Sequence, residues 1–168
     1  MELFDNNGAE FSEGRKYRYV LWRIWDNNKP LIMFIGLNPS KANEEKTDNT
    51  ITRVKRFAFD WGYGGVYMMN LFAFVSTDPK KLLFRSHEKI GYFNNNYLKQ
   101  IAEKCDKIIF AWGSFKEAQE RSIEIIKMFP EGQALIINSD GSPRHPLYVK
   151  ANTIPVKFYQ FITKHKNK

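Results

Sequence analysis

Leu31-Ile32-Met33-Phe34-Ile35-Gly36-Leu37-Asn38-Pro39-Ser40 is an apolar run broken by a glycine and then by an Asn-Pro pair. A run of that length with those stops reads as a buried strand ending in a sharp turn. In open parallel sheets the crevice beyond the strand carboxyl ends is where ligands sit. Asn38, held there by Pro39, is therefore placed where chemistry can happen. The same residues also describe a plain strand-to-helix turn that needs Gly36 and Pro39 only for backbone shape. Both readings stand at this point.

Working outward, Tyr17 to Trp25 alternates aromatic or aliphatic residues with basic ones, as a half-buried strand does. Asn27-Asn28 then predicts an antiparallel hairpin into Leu31–Ile35. Asn49 to Trp61 has helical spacing, with Ile51, Val54, Phe57 and Ala58 on one face. The glycines of Trp61-Gly62-Tyr63-Gly64-Gly65 end it, and Val66 to Met69 is a second core strand closing at Asn70. Short and longer helices are expected over Pro79–Phe84 and Ile90–Ala102. Lys107 to Ala111 is a third core strand, stopped by Trp112-Gly113-Ser114. Phe115 to Met128 reads as a helix with Ser114 as N-cap, and Ala134 to Ile137 as a fourth core strand. Pro155 is suited to open a last helix, followed by the basic tail Lys164 to Lys168. This alternation predicts an α/β protein: a three-layer αβα arrangement on a central, mostly parallel four-stranded sheet, plus an N-terminal antiparallel strand.

At 168 residues, with 43% hydrophobic and 15% aromatic residues, the chain is expected to form one domain, 1–168, with a substantial core. Lys plus Arg number 26 against 18 Asp plus Glu, for a net charge of +8 and a pI near 9.5. That balance tilts the choice of partner toward a polyanion, nucleic acid first. Cys105 is the one cysteine, so no internal disulfide and no cysteine-based zinc site can form; it reads as a buried inert thiol. No P-loop or dinucleotide fingerprint is present, so neither a metal nor an organic cofactor is expected. Apolar runs stop well short of a membrane span and the start of the chain is polar. A cytoplasmic monomer with no membrane association is the expectation.

If the sheet is parallel, the segments that end its strands converge on one crevice: Asn38 after the first, Asn70 at the second, Ser114 after the third and Ser142-Pro143-Arg144-His145-Pro146-Leu147-Tyr148 after the fourth. Two carboxamides and an imidazole suit a planar heterocycle, because a carboxamide donates and accepts at once and so reads a base edge. A histidine can donate a hydrogen bond to a developing anion, and a helix opening near Ser114 would offer N–H groups to a phosphate.

The order of these segments resembles the uracil-DNA glycosylase superfamily. Gly36-Leu37-Asn38-Pro39-Ser40 is similar to its first motif, in the Asn-containing form of the mismatch-specific and thymine-DNA glycosylases. Val66 to Phe74 resembles the strand whose terminal Asn reads uracil, Ile109 to Phe115 the Leu-Leu-Trp-Gly-Ser-Tyr stretch, and His145-Pro146 the final His-Pro motif. Asp48-Asn49-Thr50-Ile51-Thr52-Arg53, Trp61-Gly62-Tyr63-Gly64-Gly65 and His145-Pro146-Leu147-Tyr148 resemble domain of unknown function 1643 more closely still. The resemblance runs from about Tyr17 to Tyr148. It implies a uracil-DNA-glycosylase-like fold and hydrolysis of the N-glycosidic bond of a base flipped out of DNA. It implies that Asn38 positions the attacking water and His145 stabilises the departing base. Asn70 would hydrogen-bond the base edge, with Gly36, Leu37, Pro39 and Ser40 lining the pocket. Ser114 would hold a backbone phosphate, helped by Arg53, Arg56 and Arg144. Leu147 and Tyr148 are the candidates for an intercalating wedge.

Departures from the family pattern shape the expectation. A neutral Asn38 cannot take a proton from water, so slow, dissociative turnover is implied. Ser40 stands where uracil-specific enzymes carry a Tyr that blocks a 5-substituent, so a modified pyrimidine is the expected substrate. The final motif has Leu147-Tyr148 in place of Ser-Pro. Asp48 reads as the N-cap of the helix from Asn49, as an alternative acid or base in the crevice, or as a partner of Arg53. Asn70 and His145 also have plain readings, as a turn cap and an exposed loop residue. Trp61, Tyr63 and Trp112 could stack on bases, although aromatics beside glycines usually pack. Two rival functions share the same residues: a module that binds a modified base or DNA without cutting, and a hydrolase of free nucleotides or nucleosides. Repair, base metabolism and defence against phage DNA are all open as settings.

Overall fold

The computed structural model describes residues 6–76 and 86–158. Seven strands form one sheet: β1 (Asn6–Phe11), β2 (Arg18–Ile24), β3 (Leu31–Gly36), β4 (Gly65–Asn70), β5 (Lys107–Phe110), β6 (Gln133–Ala134) and β7 (Val156–Lys157). Their spatial order is β1-β2-β4-β3-β5-β6-β7. The centre, β4-β3-β5-β6, is parallel throughout, while β2 and β7 join it antiparallel and β1 pairs antiparallel with β2. Among the described residues four helices accompany it: α1 (Asn49–Asp60), α2 (Ser86–Ile90), α3 (Asn94–Lys104) and α4 (Gln119–Met128).

The apolar runs of β3 and β4 are continuous because both faces of the sheet are covered. Ile32, Phe34, Val66 and Met68 point to the α1 side, where they meet Ile51, Val54, Phe57 and Ala58. Met33, Ile35, Tyr67 and Met69 point the other way, to Leu98 and Ile101 of α3 and Ile125 of α4. Two cores on opposite faces make three layers, as the alternation of elements predicts.

Several local expectations are corrected. β2 and β3 do not form a hairpin: β4 lies between them, pairing with both (Leu21↔Met68 and Phe34↔Met68). The turn after Trp25 is stitched to the incoming chain instead, since the N–H groups of Trp25 and Asp26 both donate to the Gly64 carbonyl at 2.9 Å. A parallel β3–β4 pair buries both apolar strands centrally, which a local hairpin would prevent. Arg18 and Arg23 of β2 are 3% and 1% exposed, so their positions form no solvent face. The fourth strand is only Gln133–Ala134; Ile137 bridges to Pro143 and the chain folds into a loop over 138–143. The helix expected over Ile90–Ala102 is broken by Gly91, whose φ of 90° only glycine adopts cheaply. Ser114 does not cap a helix. A 3₁₀ turn, Lys116–Ala118, intervenes, and α4 begins at Gln119. Pro155 leads into β7 instead of opening a helix; residues 159–168, with the Lys-rich tail, and the segment Pro79–Phe84, where a short helix is expected, lie outside the described residues.

Candidate functional site at the carboxyl edge of the sheet

Numbered by appearance, the parallel centre runs second-first-third-fourth. The chain direction of travel across the sheet therefore reverses between β3 and β5, and the carboxyl ends of those two strands frame the crevice where such sheets take ligands.

On the β4 side, Asn70 is the register partner of Gly36. It is 3% exposed, and its Nδ2 is a buried donor with no hydrogen-bond partner among the described residues. Its Oδ1 lies 3.0 Å from where a Cβ at residue 36 would stand, so Gly36 makes room for this amide. The strand end is clamped from behind. Asn94 Nδ2 donates to the carbonyls of Asn70 and Leu71 at 3.0 and 3.1 Å, and Arg121 Nε donates to Leu71 at 2.9 Å.

The motif after β3 runs on beside this segment: Leu71 and Phe72 N–H donate to the Gly36 and Leu37 carbonyls at 2.9 and 3.0 Å. Asn38 Nδ2 donates to the carbonyls of Ser76 and Pro39 at 2.8 and 3.1 Å. Its amide nitrogen is thereby engaged in shaping the loop, and Oδ1 is the end left to accept a hydrogen bond from a water or ligand. The turn reading and the site reading of this motif are compatible.

Asp48 joins this loop to α1 and to His145. Its Oδ1 accepts from Ile51 N–H at 2.9 Å, which is the N-cap bond, and its Oδ2 accepts from Ser40 Oγ at 2.9 Å. Arg53 is not its partner. His145 is half-buried, and its Nδ1 accepts from Leu147 N–H at 3.2 Å. Desolvation lowers its pKa below the ordinary histidine value, and the Asp48 charge pulls only partly in the other direction. A neutral ring whose Nδ1 accepts carries its proton on Nε2, so His145 presents a neutral N–H donor. Gly113, at φ 79°, lies against it: a Cβ there would stand 3.6 Å from the His145 Cβ, and Gly113 N–H donates to the Pro143 carbonyl at 2.8 Å.

Two buried arginines, which the alternating pattern of β2 disguises, brace the 40–47 loop. Arg18 donates to the Ala42 carbonyl at 2.9 Å, and Arg23 donates to the Asn43 and Lys46 carbonyls at 2.5 and 3.1 Å. Burial brings the Arg18 guanidinium down to about 10 and lowers Arg23, while the charge of Asp48 holds both up. Both therefore stay cationic at neutral pH. The signal available in the sequence was two arginines inside an otherwise apolar strand.

Ser40 is thus bonded to Asp48, whose charge acts on His145, while Asn38 and Asn70 belong to the paired segments that leave β3 and β4. The remaining candidates go elsewhere. Ser114 Oγ donates to the Asp140 carboxylate, whose pKa is lowered by hydrogen bonds from Ser114 and then Ser142. With no helix N-terminus at Ser114 and an anion already against its hydroxyl, the basis for a phosphate there is removed. Arg144 Nε donates to Asn138 Oδ1 at 2.8 Å, holding its loop. Arg53 and Leu147 line a groove on the outside of α1, and Tyr148 beside it is 77% exposed. The aromatics near glycines pack: Trp61 stacks on Phe34, Tyr63 is buried, and Trp112 leans on Phe110 and Phe158. Cys105 is half-buried rather than buried, and burial pushes its thiol up to about 12, so it stays protonated at neutral pH. Among the described residues no three His, Cys, Asp or Glu side chains are grouped to hold a metal ion, and no helix is long and apolar enough to cross a membrane.

A family model described as Protein of unknown function (DUF1643) matches residues 18–147. The chain belongs to this family. The DUF1643 match opens on Arg18 and closes on Leu147, so it takes in Asn38, Ser40, Asp48, Asn70 and His145, both loop-bracing arginines and the Asn94–Arg121 clamp. β1 and β7 lie outside it. No curated protein and no solved structure matches the chain.

Proposed function

We propose that this DUF1643 protein is a DNA glycosylase of uracil-DNA-glycosylase-like fold that hydrolyses the N-glycosidic bond of a modified pyrimidine turned out of DNA. The observation that carries the reading is Asn70: a clamped, buried carboxamide at a strand end, with a donor left unpartnered. Burying a donor without an acceptor costs about 1–3 kcal/mol, and a base edge would supply the acceptor. Its neighbours complete the chemistry of the proposal. The C1′–N bond breaks with its electron pair passing to the base, and the Nε2–H of neutral His145 donates a hydrogen bond to the anionic base oxygen. Water, accepted by Asn38 Oδ1, adds to C1′, and its proton leaves to the departing base through solvent. Asp48, with both oxygens engaged, acts by positioning Ser40 and by its field at His145 rather than as the base. Ser40 is small and its hydroxyl is turned to Asp48, which favours a pyrimidine bearing a 5-substituent over plain uracil.

The test is incubation with duplexes carrying uracil or 5-substituted pyrimidines, followed by abasic-site detection. Product from 5-substituted substrates is expected, falling about 10²-fold in His145→Ala. Product from uracil alone would overturn the substrate assignment. Tight binding of modified DNA without product from any base would make this a binding module instead.

A further inference from the structure

The outward arc of α1 carries a feature separate from the crevice. Arg53, Arg56 and Phe59 lie on the side opposite the buried Ile51, Val54, Phe57 and Ala58. With Lys55, Trp25 and Leu147 they line a groove of about 860 Å³. Among the described residues no carboxylate lines it. Arg56 is held by Asp60 at 3.0 Å, but Arg53 and Lys55 have no ion-pair partner among the described residues. Phe59 is 65% exposed, and Trp25 sits beside it with ring centroids 6.3 Å apart, its indole pinned by a 3.1 Å hydrogen bond from Nε1 to the Tyr63 carbonyl. Leu147, two residues from His145, is part of the lining. An α-helix of twelve residues makes the groove wall about 18 Å long.

We infer that this groove binds an unpaired DNA strand, with Arg53 and Lys55 on phosphates and Phe59 and Trp25 stacking on bases, leading it toward the crevice edge. Cations alone would suit any polyanion. Aromatic faces interleaved with them select one whose bases are free to stack, because duplex bases are already stacked on each other. The net charge of +8 acts in the same direction. The inference rests on the proposed function only for its choice of DNA as the polyanion, and it is tested on DNA with nothing to excise.

Fluorescence anisotropy of a labelled oligothymidylate, measured against salt with the full chain, decides it. Two phosphate contacts give a logarithmic salt slope near −1.4, from about −0.7 per contact on single strands. In the Arg53→Gln/Lys55→Gln double variant most of that slope should vanish, and Phe59→Ala should weaken binding about tenfold at fixed salt. All three side chains stand on the outer arc of α1, so both variants should fold; circular dichroism checks this. Unchanged binding in the double variant, tighter binding of the matching duplex, or equal binding of oligouridylate would each overturn the assignment to unpaired DNA. Absence of abasic product with this binding intact would sink the glycosylase reading alone.

Discussion

His145 sets the clearest expectation for a single side chain. Its folded pKa lies below the unfolded value of about 6.5, so the neutral donor persists into mildly acidic solution. Protonation leaves the Nε2–H in place but puts a proton on Nδ1, which breaks the bond from Leu147 N–H that orients the ring, so base excision should be flat from neutral pH upward and fall only as pH drops through that lowered pKa. The unfolded chain binds the proton more readily, so His145's stabilising contribution is complete above about 6.5 and is lost as pH falls through the folded pKa. Asp48→Asn removes the charge that partly holds the pKa up. Its acid limb should move to lower pH, as read by a pH–rate profile or by NMR titration of the ring; a move to higher pH would contradict the assigned coupling. Asn70 gives the complementary case. Asn70→Ala deletes an unpartnered donor along with some packing, so these terms oppose and thermal stability should change by no more than about 1 kcal/mol. Product formation should nevertheless collapse. A large loss of stability with activity retained would mean that Asn70 is a core residue only.

Among the elements, α1 is tied to the site through its N-cap residue, which also accepts from Ser40 and whose charge acts on His145. Asp48→Ala should cost about 1 kcal/mol through the lost cap, whereas Asp48→Asn keeps a capping oxygen and should cost much less. Chemical denaturation of the two variants separates the cap from the charge; equal losses would show that the cap contributes nothing. α1 was legible in the sequence almost to the residue, because a capping Asp48 and four apolar positions at helical spacing are local signals. The helix after β5 was not. The Ser114 hydroxyl is engaged by Asp140, twenty-six residues onward, and no local pattern records that. The β2–β3 turn misled for the same reason: Asn27-Asn28 marks a reversal, but the strand that fills the gap comes from residues 65–70.

At the scale of the molecule, the sheet is closed at its β2 side by β1, which pairs from Asn6↔Ile24 to Phe11↔Arg18 and lies outside the matched family region. Deleting residues 1–11 would leave β2 with an open row of N–H and C=O groups beside a large apolar sheet. Concentration-dependent light scattering should appear in the shortened chain. A monodisperse product with an unchanged Tm would show that this edge needs no cover.

The candidate residues at the carboxyl edge divide in how they became visible. The positions of Asn38 and Asn70 at strand ends were readable because each sits at a polar break after an apolar run, whereas His145 stands beyond a loop that the sequence did not resolve. Strand periodicity, the capped α1 and the order of elements likewise determined an α/β sheet with a parallel centre. What only the tertiary structure decided is which strands are neighbours and which polar groups are already engaged. Arg18 and Arg23 became loop braces, Ser114 was taken by Asp140, and Asn70 kept a donor unmatched. The reason is that periodicity records which face of an element is buried, whereas hydrogen-bond satisfaction depends on partners far away in the chain.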